Sequence, residues 1–355
     1  PQFNQLTPQG HPAQQDAEEF YSGLLTQAAT VSLPLDSVLP SAASLGASNL
    51  IDAIFGMAME ETMTCNETPE EPPVVKRDLL RKLTCNIQGG TATEASSAAV
   101  ASSAAGRNVG HIYEGILLGL EGTIEKNSDI LGRNALWTRQ QRIARLPPIL
   151  VVQFGRFYWK ATPDSQDHSG VKCKILKKVA FTSTLDVYDF CNPTIRTILQ
   201  ASRDRARQNE EAQIQAKLEG KDTSDATNNN NNDDMEVENQ DMADNEDELQ
   251  KALEMSMELD PVGPGLPPNF QGHYELFAVV THKGRNADGG HYMGWVKASS
   301  SSSTSDPTVV VDENQEDWFV FNDDEVSPCK TEDILKLQGG GDYDMSYLNF
   351  YRAKK

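Results

Sequence analysis

GGHYMGWVK, residues 289–297, sets two glycines ahead of His291 and then runs into an apolar, strand-like stretch. HYELFAVVTH (273–282), DWFVFN (317–322) and MSYLNFY (345–351) are similar runs, rich in aromatic and β-branched residues and separated by turn-rich segments that include the serines of 299–303. Runs of this kind, bounded by turn residues, predict strands, and their succession after Pro267 is that of an antiparallel sheet. In such a meander the strand ending at Phe321 can lie beside the one beginning at His291. That brings Asn322, in WFVFNDDEV (318–326), near the imidazole.

The earlier part of the chain is mixed. Ala17, Phe20, Tyr21, Leu24 and Leu25 recur at helical spacing, so 13–28 predicts a helix with those five side chains on one buried face. NLIDAIFGMAMEETMTC (49–65) combines a short helix with a strand-like end, and the dense apolar run of LPPILVVQFGRF (146–157) predicts a buried strand. Helices early and a sheet late make the class α+β. Two segments interrupt it. TATEASSAAVASSAAGRN (91–108) is low in complexity and reads as a flexible insertion. Residues 195–266 read as a second insertion, with a charged helical start, NNNNNDD and an acidic run. Such a segment cannot bury enough apolar area to offset the entropy of ordering it.

The 355 residues carry a net charge of −21, and fourteen acidic side chains between 221 and 260, against Lys221 and Lys251, hold more than half of it. No basic stripe suits a phosphate backbone, so nucleic acid is excluded as an expected partner. Five irregularly spaced cysteines, Cys65, Cys85, Cys173, Cys191 and Cys329, do not form a disulfide framework and fit a reducing compartment. No apolar run reaches the length of a membrane span, and no signal peptide is visible. Because the first residue is Pro1, the expectation is a fragment or a processed product.

His291 alone is compatible with a base, a metal ligand or a solvated turn residue. A catalytic histidine needs a group that fixes its tautomer and orientation, and Asn322 is placed to do so. The glycines before it leave room for a substrate backbone.

GGHYMGWVK followed by WFVFNDDEV resembles the histidine box of the ubiquitin-specific proteases, which are papain-like cysteine peptidases. QQDAEEF (14–20) resembles the family's segment after its cysteine box, and LPPILVVQFGRFYW (146–159) resembles its "LP…L…Q..RF" strand. TEDILKLQGGGDYDMSYLNFY (331–351) and NLIDAIFGMAMEETMTC resemble the proteasome-associated member. The resemblance covers most of the chain outside the two insertions. It implies a papain-like fold with a helical thumb, a β-rich palm and fingers, N-terminally truncated. Residues 1–194 would hold the rest of the thumb, the fingers and the first part of the palm, and 267–355 the palm sheet.

The resemblance makes His291 the general base, Asn322 its orienting residue and Asp323 a supporting acceptor. Asp16 matches the acidic position that grips the ubiquitin tail; by itself it also reads as a helix-start carboxylate favoured by the dipole. Gln15, Gly290 and Tyr292 join it as substrate-binding candidates. Residues 282–290 and 160–170 stand where the family has mobile loops over its cleft.

The family's nucleophile is a cysteine at a helix N-terminus upstream of the QQDAEE motif, where the helix and a neighbouring histidine lower the thiol pKa. None of the five cysteines has that setting, so the nucleophile is expected upstream of Pro1 and this chain alone is expected to be inactive. Relatives with a metal carry paired CxxC motifs; without one here, no metal and no other cofactor is expected. EDELQKALEMSMELD (246–260) resembles a ubiquitin-interacting motif through Leu249, Ala252 and Ser256, with Leu259 where that motif has an acid. The helix would lie on an apolar patch of ubiquitin. The implied partners are ubiquitin, ubiquitinated proteins and the proteasome regulatory particle, in cytoplasm and nucleus. The alternative is a non-catalytic ubiquitin-binding protein.

Overall fold

The computed structural model describes residues 10, 15–31, 47–87, 108–160, 171–222, 262–285, 289–298 and 317–354. The expected insertion at 91–108, apart from Asn108, the loop at 161–170 and the helix at 246–260 with Leu249, Ala252 and Ser256 lie outside the described residues.

The elements, in chain order, are α1 (Ala17–Ala29), α2 (Leu50–Ile54), β1 (Met57–Cys65), β2 (Val74–Leu80), β3 (Leu83–Cys85), α3 (Ile112–Leu120), β4 (Glu121–Ser128), β5 (Arg133–Arg145), β6 (Ile149–Phe154), β7 (Phe157–Lys160), β8 (Val171–Lys174), β9 (Thr184–Asp186), a 3-10 turn (Tyr188–Phe190), α4 (Pro193–Asp222), β10 (His273–Lys283), β11 (His291–Lys297), β12 (Asp317–Asn322), β13 (Glu325–Lys330), α5 (Thr331–Ile334) and β14 (Met345–Ala353). Eight strands form the main sheet, in the order β13-β12-β11-β10-β14-β6-β3, with β9 on the start of β10. A separate four-stranded sheet has the order β2-β1-β5-β4, and β7 pairs with β8.

The strands expected over 273–282, 291–297, 317–322 and 345–351 are β10, β11, β12 and β14. They pair antiparallel, with His282 opposite Tyr292 and Val296 opposite Phe319. The sheet is not purely antiparallel, because β3 runs parallel to β6. It is covered on both faces over β14 and β6. Tyr274, Leu276, Tyr351, Val152 and Phe154 join α3 in the main core, while Val151, Leu348, Phe350 and Tyr292 meet Ala17, Tyr21 and Phe55. Residues buried on both faces cannot alternate apolar with polar, which is why the 149–154 and 345–351 runs are so densely apolar.

Three expectations are corrected. The buried face of α1 is narrower than its periodicity suggests, since Phe20 and Leu24 are each 53% exposed. They form one i, i+4 row, while Ala17, Tyr21 and Leu25 form the adjacent row, of which Ala17 and Tyr21 pack against the sheet and Leu25 is buried. The second insertion does not begin at 195: Ile195 and Leu199 are buried in the main core, and Arg203 of α4 donates to Asp186 and to the Gln271 carbonyl. The segment rejoins the core before 267, at Val262, whose carbonyl accepts from Leu146.

Candidate active site

β11 opens with His291 because Gly290 allows the approach. Gly290 has φ +136°, and a Cβ there would stand 2.3 Å from the Lys283 carbonyl oxygen and 2.6 Å from His282 Nε2. Only glycine takes that backbone without strain. On the other side, β12 ends at Asn322, and Asp323, at φ +53°, turns the chain tightly into β13, where Glu325 faces Asn322. Asp is among the few non-glycine residues that tolerate this conformation.

This register brings His291 and Asn322 together: Nε2 and Oδ1 are 2.5 Å apart. An amide oxygen only accepts, so Nε2 carries the proton and Nδ1 keeps its lone pair. The ring is 39% exposed, so that lone pair is within reach of a solvent-side reactant. Asp323 is not a direct acceptor for the ring. Its carboxylate is 4.0 Å from Nε2 and 79% exposed, because the turn carries it outward past Asn322.

Asp16 caps α1, accepting from the Glu18 amide and from the Tyr347 hydroxyl, both at 2.8 Å. Tyr292 packs in the same cluster as Ala17 of α1. Burial and the Asp16 charge push the Tyr292 and Tyr347 hydroxyls well above the ordinary tyrosine range, so both stay protonated. Asp16, Tyr292 and Tyr347 thus tie the start of α1 to the sheet beside His291, and Gln15 lies half-buried just before them. An open concavity of about 400 Å³ lined by His111, Glu114 and Asp186 shares no residue with this region.

No cysteine sulfur is among the hydrogen-bond partners of His291 in the described residues. Burial pushes the Cys85 thiol up to about 12 and raises Cys191 and Cys329 too. These thiols stay neutral near pH 7 and are poor nucleophiles. Cys65 packs with Met63, Ala135 and Trp137, an apolar setting. Among the described residues no cluster of His, Cys, Asp or Glu is arranged to hold a metal ion.

Three polar anchors were not among the expected site residues. Arg156, fully buried, donates to the carbonyls of Ser346, Ile175, Lys177 and Gln338. Lys174 sits 2.6 Å from His282 Nδ1 and donates to the His282 and Gly284 carbonyls at 2.9 and 2.8 Å. Burial, helped by the Arg156 charge, lowers Lys174 to about 8, against the pull of Asp342 and Asp344. Tyr347 supplies the hydroxyl that holds Asp16.

In thiol hydrolases a histidine oriented by a hydrogen-bonding side chain serves as the base. This chain belongs to the ubiquitin carboxyl-terminal hydrolase family, whose model matches residues 2–351. It is 33% identical to ubiquitin carboxyl-terminal hydrolase 6 of Arabidopsis thaliana over all of this chain and 61% of the relative. To ubiquitin carboxyl-terminal hydrolase 6 of Schizosaccharomyces pombe it is 32% identical, again over its full length and 64% of the relative. The chain therefore spans under two thirds of these relatives. A SAGA DUB module bound to monoubiquitin shares the fold, with a TM-score of 0.50 and 16% identity over 98% of this chain and 50% of that one.

Proposed function

We propose that this chain is most of the catalytic domain of a deubiquitinase, which hydrolyses the peptide or isopeptide bond after the C-terminal glycine of ubiquitin through a thioester intermediate. The observation that carries the reading is the 2.5 Å contact of His291 with Asn322 in a chain of this family. His291 Nδ1 takes the proton of a cysteine thiol supplied from outside the described residues. The thiolate attacks the carbonyl carbon, the C–N bond breaks as the imidazolium gives its proton to the leaving amine, and a water deprotonated by the imidazole then hydrolyses the thioester and frees the thiol. Asn322 holds the ring through both steps. Asp16, Gln15, Gly290 and Tyr292 line the path of the ubiquitin tail, and Asp323 adds a long-range negative charge at 4.0 Å.

The resemblance of 331–351 and 49–65 to the proteasome-associated member supports proteasome-bound conjugates as substrates and the regulatory particle as partner. The composition supports cytoplasm and nucleus. The absence of a cysteine against His291 among the described residues favours a second reading, a ubiquitin binder without chemistry.

A ubiquitin–fluorophore conjugate decides between them. The protein encoded by the complete reading frame is expected to release the fluorophore, and residues 1–355 alone to release none. Ubiquitin binding without turnover by the complete protein selects the binder; turnover by residues 1–355 alone refutes the assignment of the nucleophile.

A further inference from the structure

Lys174 lies at the end of β8, opposite Phe157 of β7, and is 108 residues from its partner His282. It is buried, and its ammonium has three donors for three acceptors: the Nδ1 of His282 and the carbonyls of His282 and Gly284. Those carbonyls flank Lys283, and Lys283 is the ladder partner of His291. The His282 ring is itself packed edge-on against two aromatic rings, Phe157 at 5.3 Å and Tyr292 at 4.8 Å between centroids. Its Nε2 lies so close to Gly290 that a Cβ there would stand 2.6 Å from it. Every residue from 290 to 292 therefore leans on a group that Lys174 holds.

We propose that Lys174 is a positioning residue for the reaction: by clamping the 282–284 backbone it fixes the end of β10, and through the Lys283–His291 pair it holds His291 against Asn322. The role rests on the deubiquitinase reading only in what His291 then does; the clamp itself is a property of this chain. A buried ammonium is costly to keep, and ordinary strand pairing does not require one. A lysine at this point is explained by the two adjacent carbonyls and the ring nitrogen, which no aliphatic side chain of the same length could hold. β11, which carries His291, lies between β10 and β12, so the end of β10 holds one edge of β11 while the β11–β12 pair brings Asn322 to the other.

The test is Lys174→Met, with His282→Phe as a second variant that keeps a ring between Phe157 and Tyr292 but removes the Nδ1 acceptor. Hydrogen exchange is measured on residues 1–355, and steady-state turnover of ubiquitin–fluorophore on the complete protein. The expected result is faster exchange confined to 282–285 and 289–292, with kcat down about 10- to 100-fold, the scale of a misplaced base, and KM nearly unchanged. A purely structural lysine would lower overall stability and move KM and kcat without that pattern. Wild-type exchange at 282–292 with wild-type kcat, in whichever of the two variants folds, overturns the proposal. If the wild-type protein itself gives no turnover, the deubiquitinase reading fails, and the exchange result still decides the clamp.

Discussion

Arg156→Met is the sharpest test of how the main sheet is closed. The guanidinium is fully buried and gathers four carbonyls from three separate places: Ile175 and Lys177 after β8, Gln338 after α5, and Ser346 at the start of β14. One of these bonds is short, at 2.7 Å, and three are 3.1–3.2 Å. Methionine fills similar volume but donates nothing. Each buried carbonyl left without a partner costs ~1–3 kcal/mol. Against this stands the relief of a buried charge. Burial lowers the Arg156 pKa to about 10, and at ~1.4 kcal/mol per unit the substitution regains roughly 3 kcal/mol. The Gln338 carbonyl keeps the Val179 amide as a donor, so three carbonyls lose the Arg156 donor; at about 2 kcal/mol each, less the roughly 3 kcal/mol regained, the net loss should be about 3 kcal/mol. Lys in the same place keeps the charge but cannot span four acceptors with one ammonium, so Arg156→Lys should be no better tolerated. The assay is urea unfolding of residues 1–355 followed by tryptophan fluorescence. A loss below ~1 kcal/mol with an unchanged m-value would refute the reasoning, because it would mean the carbonyls find other partners at little cost.

Replacing His291 with Ala should lower kcat/KM of the complete protein by at least about 10²-fold while ubiquitin affinity, measured by calorimetry, stays within about threefold. Gly263→Ala forces a Cβ to 1.8 Å from the Leu146 carbonyl oxygen, where the backbone must shift; thermal unfolding should show a loss of ~1–3 kcal/mol. Glu275 receives Lys297 at 2.7 Å and Arg352 at 2.9 Å. Burial raises its pKa, but those two bonds outweigh it and the net shift is downward. Its folded pKa is thus below the unfolded one, so the stabilisation is present above about pH 4.5 and lost as pH falls through the folded value. The stability difference between wild type and Glu275→Gln should therefore shrink on acidification from pH 6 to pH 3 in denaturant titrations; a constant difference would exclude the linkage.

Much of the sheet was legible from the chain alone, because strands announce themselves locally. The runs at 273–282, 291–297, 317–322 and 345–351 are apolar and β-branched, and they end at turn residues, so β10, β11, β12 and β14 follow from the sequence. The neighbourhood of His291 and Asn322 was legible for the same reason, since adjacency of two consecutive strands fixes it. β13 was not, because EVSPCK carries a proline and exposed polar residues, the marks of an edge strand. α3 was missed because His111 caps it, with Glu114 completing the box, and histidine is not a residue by which helix starts are sought. The sequence could not show that Phe20 and Leu24 face outward, since periodicity sets which residues share a face and not how wide a neighbour covers it.

The amino-acid sequence by itself determined the α+β class, four strands of the main sheet, the pairing of His291 with Asn322 and the family. Tertiary structure alone decided the polar anchors: Arg156 on carbonyls up to 190 residues away, Lys174 on His282 across 108, and Tyr347 on Asp16 across 331. Apolar patterning has a period that a reader can find along the chain. A buried polar partner is chosen by whatever the finished backbone brings within 3 Å of it, and nothing in the neighbouring residues records that choice.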